Sequence, residues 1–131
     1  PETEVVMPRL QTDLVALFAA MDNGTLIDTN IAFDERSCCT VMAVSGGYPG
    51  DYRKNIIIEG LENAGDDKTT MVFHAGTKQD GSKVVTNGGR VLAVTAYGAD
   101  ITTAVSRSKA VLEKISFEGM YFRKDIGYEF A

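Results

Sequence analysis

Four stretches of the chain carry residue types able to do chemistry. Ser45-Gly46-Gly47-Tyr48-Pro49 sets two glycines side by side. Without side chains in the way, successive backbone N–H groups can approach a ligand, an anion above all. The same pair also suits a tight connection that only needs positive φ. Thr86-Asn87-Gly88-Gly89-Arg90 joins a second glycine pair to a guanidinium, the fork that meets phosphate or carboxylate with two parallel hydrogen bonds. Its plainer reading is a hairpin turn with Arg90 in solvent, and its spacing is not that of a dinucleotide or nucleotide-phosphate loop. Phe73-His74-Ala75-Gly76-Thr77 holds the one histidine of the sequence. No nucleophile or orienting carboxylate lies near it in sequence, so a packed or hydrogen-bonded structural histidine is the better reading than a general base. In Tyr121-Phe122-Arg123-Lys124-Asp125-Ile126-Gly127, Arg123 and Asp125 share a face if the segment is extended. Either they pair with each other, or Arg123 reaches an anionic ligand while Asp125 holds it in place. No carboxylate pair, triad or metal cluster stands out, so no catalytic residue and no metal ligand is assigned. Taken by themselves, these residues describe a domain whose glycine loops could hold an anion.

The 131 residues suit one domain with a real hydrophobic core, and 44% hydrophobic with 24% charged residues is ordinary for a globular protein. No apolar run approaches the roughly 20 residues that cross a bilayer, and no basic stretch followed by an apolar one marks a signal peptide. A net charge of −5 with dispersed Lys and Arg argues against a general nucleic-acid binder. Cys38 and Cys39 are adjacent, so on a strand they point to opposite faces and neither bond each other nor share a metal. They read as small residues filling a strand in a reducing, cytoplasmic compartment. The chain begins at Pro1 rather than Met and is expected to be a piece of something longer.

The elements that must position the glycine loops follow from periodicity. Leu10, Leu14, Leu17, Phe18 and Met21 recur at helical spacing and predict one amphipathic helix over residues 4–22, closed by Asn23-Gly24. Residues 37–44 are rich in β-branched and small apolar side chains and predict a strand. A short strand over 55–58 and a single helical turn over 60–64 follow. Residues 71–77, 83–86 and 90–97 are expected as an antiparallel meander, turned by Asp80-Gly81 and by Asn87-Gly88-Gly89. Ile101, Ala104, Val105, Ser108, Val111, Leu112 and Ile115 mark a second helix with Asp100 as its N-cap. The tail, 117–130, is expected to pack back on the sheet as strand and loop. The fold class is α+β: a mainly antiparallel sheet with two principal helices, the first somewhat apart from the sheet.

The loops together resemble one family. Pro1-Glu2-Thr3-Glu4-Val5-Val6-Met7-Pro8-Arg9-Leu10 is similar to the end of the Arg-Phe-Gly-Asp-Pro-Glu-Thr-Gln segment of phosphoribosylamine–glycine ligases, also called glycinamide ribonucleotide synthetases. Ala43-Val44-Ser45-Gly46-Gly47-Tyr48-Pro49-Gly50-Asp51-Tyr52 resembles that family's next block. So do the stretches 73–77, 86–96 and 117–127, in family order and spacing over nearly the whole chain.

The resemblance implies the C-terminal part of an ATP-grasp ligase. Such an enzyme uses ATP and Mg²⁺ to activate glycine as an acyl phosphate, which the amine of 5-phosphoribosylamine attacks to give glycinamide ribonucleotide. The family's metal-binding Glu and Asn precede the matched region, so ATP and Mg²⁺ are expected to be handled by the parent enzyme and not by this fragment, which alone should be inactive. Residues 1–24 are expected to be the last helix of the ATP-grasp body and residues 25–131 the C-terminal domain. The resemblance places Gly46, Gly47, Gly88, Gly89, Arg90 and Arg123 along the cleft, on the sugar-phosphate side. A first helix cut from its body exposes a stripe of Leu10, Leu14, Leu17 and Phe18, which predicts a homodimer or helix exchange between copies. The rival reading is a free-standing module that holds a small anion without catalysis.

Overall fold

A computed structural model describes residues 1–64 and 67–130. Its centre is an antiparallel sheet of three strands in the order β1 (Ser37–Val44), β5 (Arg90–Gly98), β2 (Thr70–His74). β5 lies in the middle and is buried along almost its whole length. Period-2 alternation sorts its neighbours: Cys39, Val41 and Ala43 stand opposite Ala96, Val94 and Leu92 and join one core with Ala104, Val105, Val111 and Leu112 of helix α3 (Ile101–Leu112). Asp100 caps α3 as expected, accepting from the Thr103 N–H at 2.7 Å. The Ser108 hydroxyl, fully buried, donates to the Cys39 carbonyl at 3.0 Å, so the helix is docked on β1 by a hydrogen bond as well as by packing.

The other face of the sheet takes the N-terminal segment. The single helix expected over 4–22 is instead two: α1 (Thr3–Arg9) and α2 (Leu14–Asp22). Leu10 turns extended, at ψ 115°, and bridges to Phe33, while Asp13 starts α2 by accepting from Ala16 N–H at 2.8 Å. Pro8, inside α1, has no N–H to give the Glu4 carbonyl four residues back. The Thr95 hydroxyl of β5, buried, lies 2.9 Å from that oxygen and donates to it. Tyr97 donates its phenol proton to the Pro8 carbonyl. Polar side chains on an otherwise apolar strand thus satisfy one carbonyl that the proline leaves over and one that the end of α1 leaves over. α2 ends at Asn23 and Gly24, the latter at φ 69°, as the sequence indicates.

Three further expectations are corrected. The meander does not form: β5 pairs with β1 and β2, while β3 (Thr77–Asp80) and β4 (Lys83–Thr86) make a hairpin of their own. The strand expected over 71–77 is cut at Ala75-Gly76, because the Ala75 and Gly76 N–H groups bend back to the Val91 and Arg90 carbonyls. Residues 55–58 run antiparallel beside β4, with Asn55 and Ile58 donating to the Thr86 and Val84 carbonyls and Thr86 donating to the Ile56 carbonyl. The pairing amounts to the bridge Ile57–Val85 and not a full strand, and Asn55, at φ 62°, departs from extended backbone. The turn over Leu61–Asn63 and the two-residue hairpin turn after Asp80 stand as read. The tail crosses the end of β1 by a Val44–Tyr121 bridge and finishes in a turn at Tyr128–Phe130. The class is α+β, with three α-helices among the described residues where two principal helices were expected.

Candidate functional site

A break in the β1–β5 ladder decides where Arg90 points. The register runs regularly to Ala43 opposite Leu92, then Val44 stands opposite Arg90, so Val91 is an extra residue on β5. In regular alternation Arg90 would share the α3 face with Leu92. The bulge sends the fully buried Val91 into the core instead and puts Arg90 opposite Val44, on the face that carries Met42. There Arg90 lines a groove of about 610 Å³ with Thr3 and Glu4 of α1, Met42, Tyr48, Gly76 and Gly89.

The surrounding glycines serve close approach between loops. A Cβ on Gly46 would lie 2.7 Å from the Gly119 carbonyl oxygen, and one on Gly76 2.7 Å from the Gly88 Cα. A Cβ on Gly89 would press into the Tyr48 ring, 2.6 Å from Cε2. Ser45, buried, ties the same loops together: its N–H donates to Gly89 at 2.8 Å and its hydroxyl to Gly88 at 2.9 Å. Asn87 and Gly88 donate to the Gly76 carbonyl. Loops 45–51, 75–76, 87–90 and 119 therefore form one rim.

Five arginines are already engaged. Arg9 donates to the Asp34 carbonyl, Arg36 to the Asp34 carboxylate, Arg53 to Glu118, Arg107 to the Tyr97 carbonyl and Arg123 to Asp125. Among the described residues, no ion pair or side-chain hydrogen bond holds Arg90. Its charge reaches Glu2, whose carboxyl is held below the ordinary range chiefly by a backbone hydrogen bond and least by Arg90. An unengaged guanidinium in a rimmed groove is a receptor for a phosphate or a carboxylate.

Of the six residues singled out from the sequence, Gly89 and Arg90 line this groove; Gly46, Gly47 and Gly88 do not, and pack instead against Gly119, Asp51 and Gly76 respectively. Arg123 lies apart from it, bonded twice to Asp125 at 3.0 and 2.8 Å, the pairing weighed from their spacing. That bond raises the Arg123 pKa and lowers that of Asp125. His74 is exposed, with Nδ1 2.9 Å from the Thr77 hydroxyl. Cys38 and Cys39 are both free, and burial pushes both thiols up, away from the reactive thiolate. Sequence reasoning missed Tyr48, Met42 and Glu4 as wall residues. Tyr48 lay inside a loop already singled out, whereas the other two become neighbours of Arg90 only through the bulge and the docking of α1. Among the described residues no group of His, Cys, Asp and Glu could hold a metal ion, and no helix is long and apolar enough to cross a membrane.

Fold and groove define an α+β domain in which glycine loops present, among the described residues, one arginine with no ion pair or side-chain hydrogen bond, at the end of an antiparallel sheet. Residues 38–129 match the family model described as phosphoribosylglycinamide synthetase, C domain, and the chain belongs to that family. It is 46% identical over 131 residues to the phosphoribosylamine–glycine ligase of Vibrio cholerae, covering 98% of this chain and 30% of that protein. It is 42% identical over 128 residues to a bifunctional purine biosynthetic protein of Dictyostelium discoideum, covering 97% of this chain and 16% of that one. The crystal structure of phosphoribosylamine–glycine ligase from Thermotoga maritima superposes with a TM-score of 0.67 at 27% identity, over 95% of this chain and 30% of that one. The chain thus spans under a third of the length of these relatives.

Proposed function

We propose that this chain works as the C-terminal part of an ATP-dependent carbon–nitrogen ligase. The ligase joins glycine to 5-phosphoribosylamine, giving glycinamide ribonucleotide in purine synthesis in the cytoplasm. The free guanidinium of Arg90 in its rimmed groove is the observation that carries this chain's share. Arg90 takes the 5-phosphate of phosphoribosylamine by charge-assisted hydrogen bonds and so holds the amine in register for attack. ATP supplies the phosphoryl group that turns the glycine carboxylate, a poor acyl donor, into a good one. The described residues assemble no magnesium site. Gly46, Gly47, Gly88 and Gly89 act by packing the loops beside the groove, and Arg123, held by Asp125 outside the groove, is left out of the phosphate site.

In the same reading, residues 1–24 belong with the ATP-grasp body and 25–131 form the C-terminal domain. That division is one of function and not of packing, since α1 docks on β1 and β5, while α2 leaves Val15, Phe18 and Met21 exposed. A free-standing anion module accounts for the groove equally well, but not for a match that runs end to end along one part of much longer ligases.

A chimera with this chain in place of the matching segment of the Vibrio ligase is expected to make glycinamide ribonucleotide. Arg90→Ala should raise its KM for phosphoribosylamine by about tenfold or more, the worth of a charge-assisted hydrogen bond. An unchanged KM and turnover would refute the assignment of Arg90.

A further inference from the structure

Tyr48 stands beside Arg90 for a structural reason. Its N–H donates to the Ser45 carbonyl at 3.0 Å, closing the turn. Its ring lies where a side chain on Gly89, the residue before Arg90, would have to be. The Tyr52 ring backs it at 6.2 Å between centroids, tilted by 60°. The ring remains 40% exposed and walls the groove next to the guanidinium, in the company of Met42. A cation flanked by an aromatic ring and a thioether suits an anion with an organic body better than a bare one, because the body can cover apolar surface while the anion meets the fork.

Resting on the Arg90 reading above, we propose that Tyr48 is a specificity-determining residue of this groove: its ring packs on the sugar of a sugar phosphate whose phosphate Arg90 holds. Tyr48 then sets the preference for a phosphate ester over inorganic phosphate, and Gly89 is there to seat the ring.

The test is an amide NMR titration of the 131-residue chain with ribose 5-phosphate and, separately, with inorganic phosphate. Wild type is expected to bind ribose 5-phosphate about tenfold more tightly than inorganic phosphate. Tyr48→Ala should bring the ester down to the inorganic level and leave inorganic phosphate unmoved, a pattern that a merely loosened fold does not give. Tyr48→Phe should keep the preference, and Gly89→Ala, which evicts the ring without deleting it, should lose it. Arg90→Ala should weaken both ligands. A Tyr48→Ala protein that still prefers the ester overturns the role of Tyr48 while leaving Arg90 standing. An Arg90→Ala protein that binds both ligands normally, or a wild type that binds neither, overturns the Arg90 reading and this inference with it.

Discussion

Replacing Thr95 by Val keeps the shape of a fully buried side chain on β5 and deletes one hydroxyl. That hydroxyl is the donor to the Glu4 carbonyl at 2.9 Å, a group that lost its helical partner to Pro8. A net hydrogen bond contributes about 0.5–1.5 kcal/mol, and a carbonyl left buried without a partner costs about 1–3 kcal/mol. Thr95→Val should therefore destabilise by about 1.5–3 kcal/mol, or a shift near 1 M in the urea midpoint for a slope of about 1–3 kcal/mol/M. The reasoning makes a sharper demand through Pro8→Ala. Alanine at position 8 returns an N–H to Glu4, so in that background Thr95→Val should cost about 1 kcal/mol less, what remains being the lost contact with the Thr40 hydroxyl at 2.9 Å. The coupling in the double-mutant cycle should be about 1 kcal/mol or more. Urea unfolding gives the four stabilities, and hydrogen exchange at the Val6 and Leu10 amides, both bonded within α1, reports whether the helix itself has loosened. Equal penalties for Thr95→Val in both backgrounds would show that Pro8 and Thr95 are not linked through Glu4.

Other consequences are simpler to test. Gly47, at φ 94°, faces the Asp51 carbonyl so closely that any Cβ overlaps it, while Gly24, at φ 69°, faces open space. Gly47→Ala should thus cost about 1–3 kcal/mol in urea unfolding and Gly24→Ala clearly less, and near-equal losses would refute the packing argument. Asp34 and Asp67 are held down to about 2, chiefly by hydrogen bonds from Arg36 and from Thr69 respectively, and Asp100 is lowered by the Thr103 N–H. Because the folded values lie below the unfolded ones, their stabilisation is complete above about pH 4 and is lost as pH falls toward 2. The urea midpoint should drop across that window, less steeply for Asp67→Asn, and a midpoint that rises on acidification would contradict it. Val15, Phe18, Met21 and Ile27 are 73%, 58%, 60% and 92% exposed, so sedimentation of the isolated chain should show concentration-dependent dimers that Phe18→Asp with Ile27→Asp abolishes. A monomer at high concentration would count against that face as an interface.

Local rules carried well where one physical cause dominates. Helix α3 was readable because its apolar stripe, its Asp100 cap and its length agree, and β1 because alternation and β-branching agree. The N-terminal segment failed where two signals conflict: the Leu10–Leu14–Leu17 spacing continues through 11–13, but Thr12 and Asp13 prefer to cap. The Thr12 hydroxyl indeed accepts from Ala32 N–H at 2.8 Å, a partner 20 residues away that no local rule supplies. The apolar stripe then splits differently from its reading, with Leu17 buried, Leu10 and Leu14 half-buried, and Val15 outward. The meander failed because strand order is a long-range choice. A two-residue turn made β3 and β4 partners, and β5, paired with β1 on one edge and β2 on the other, has no place for β4 beside it.

The candidate site shows the same division. Glycine pairs beside an arginine suggested an anion site, and in the structure the glycines are consumed by contacts among loops: Gly46 against Gly119, Gly88 against Gly76, Gly89 against Tyr48. That does not weaken the site. Backbone packed that closely leaves the rim little room to shift, and a guanidinium carried on such a rim has less freedom to lose when it meets an anion. The direction of the guanidinium, however, rests on one extra residue, Val91, whose displacement into the core is visible only once β1 and β5 are in register. Nothing in the local pattern of residues 86–91 distinguishes a bulged strand from a regular one. A regular strand would have sent Arg90 toward α3 and left the groove without its charge. The direction of Arg90 therefore depends on a register choice between strands far apart in sequence, and the close packing of the glycine loops is laid around the end of the strand where that choice falls.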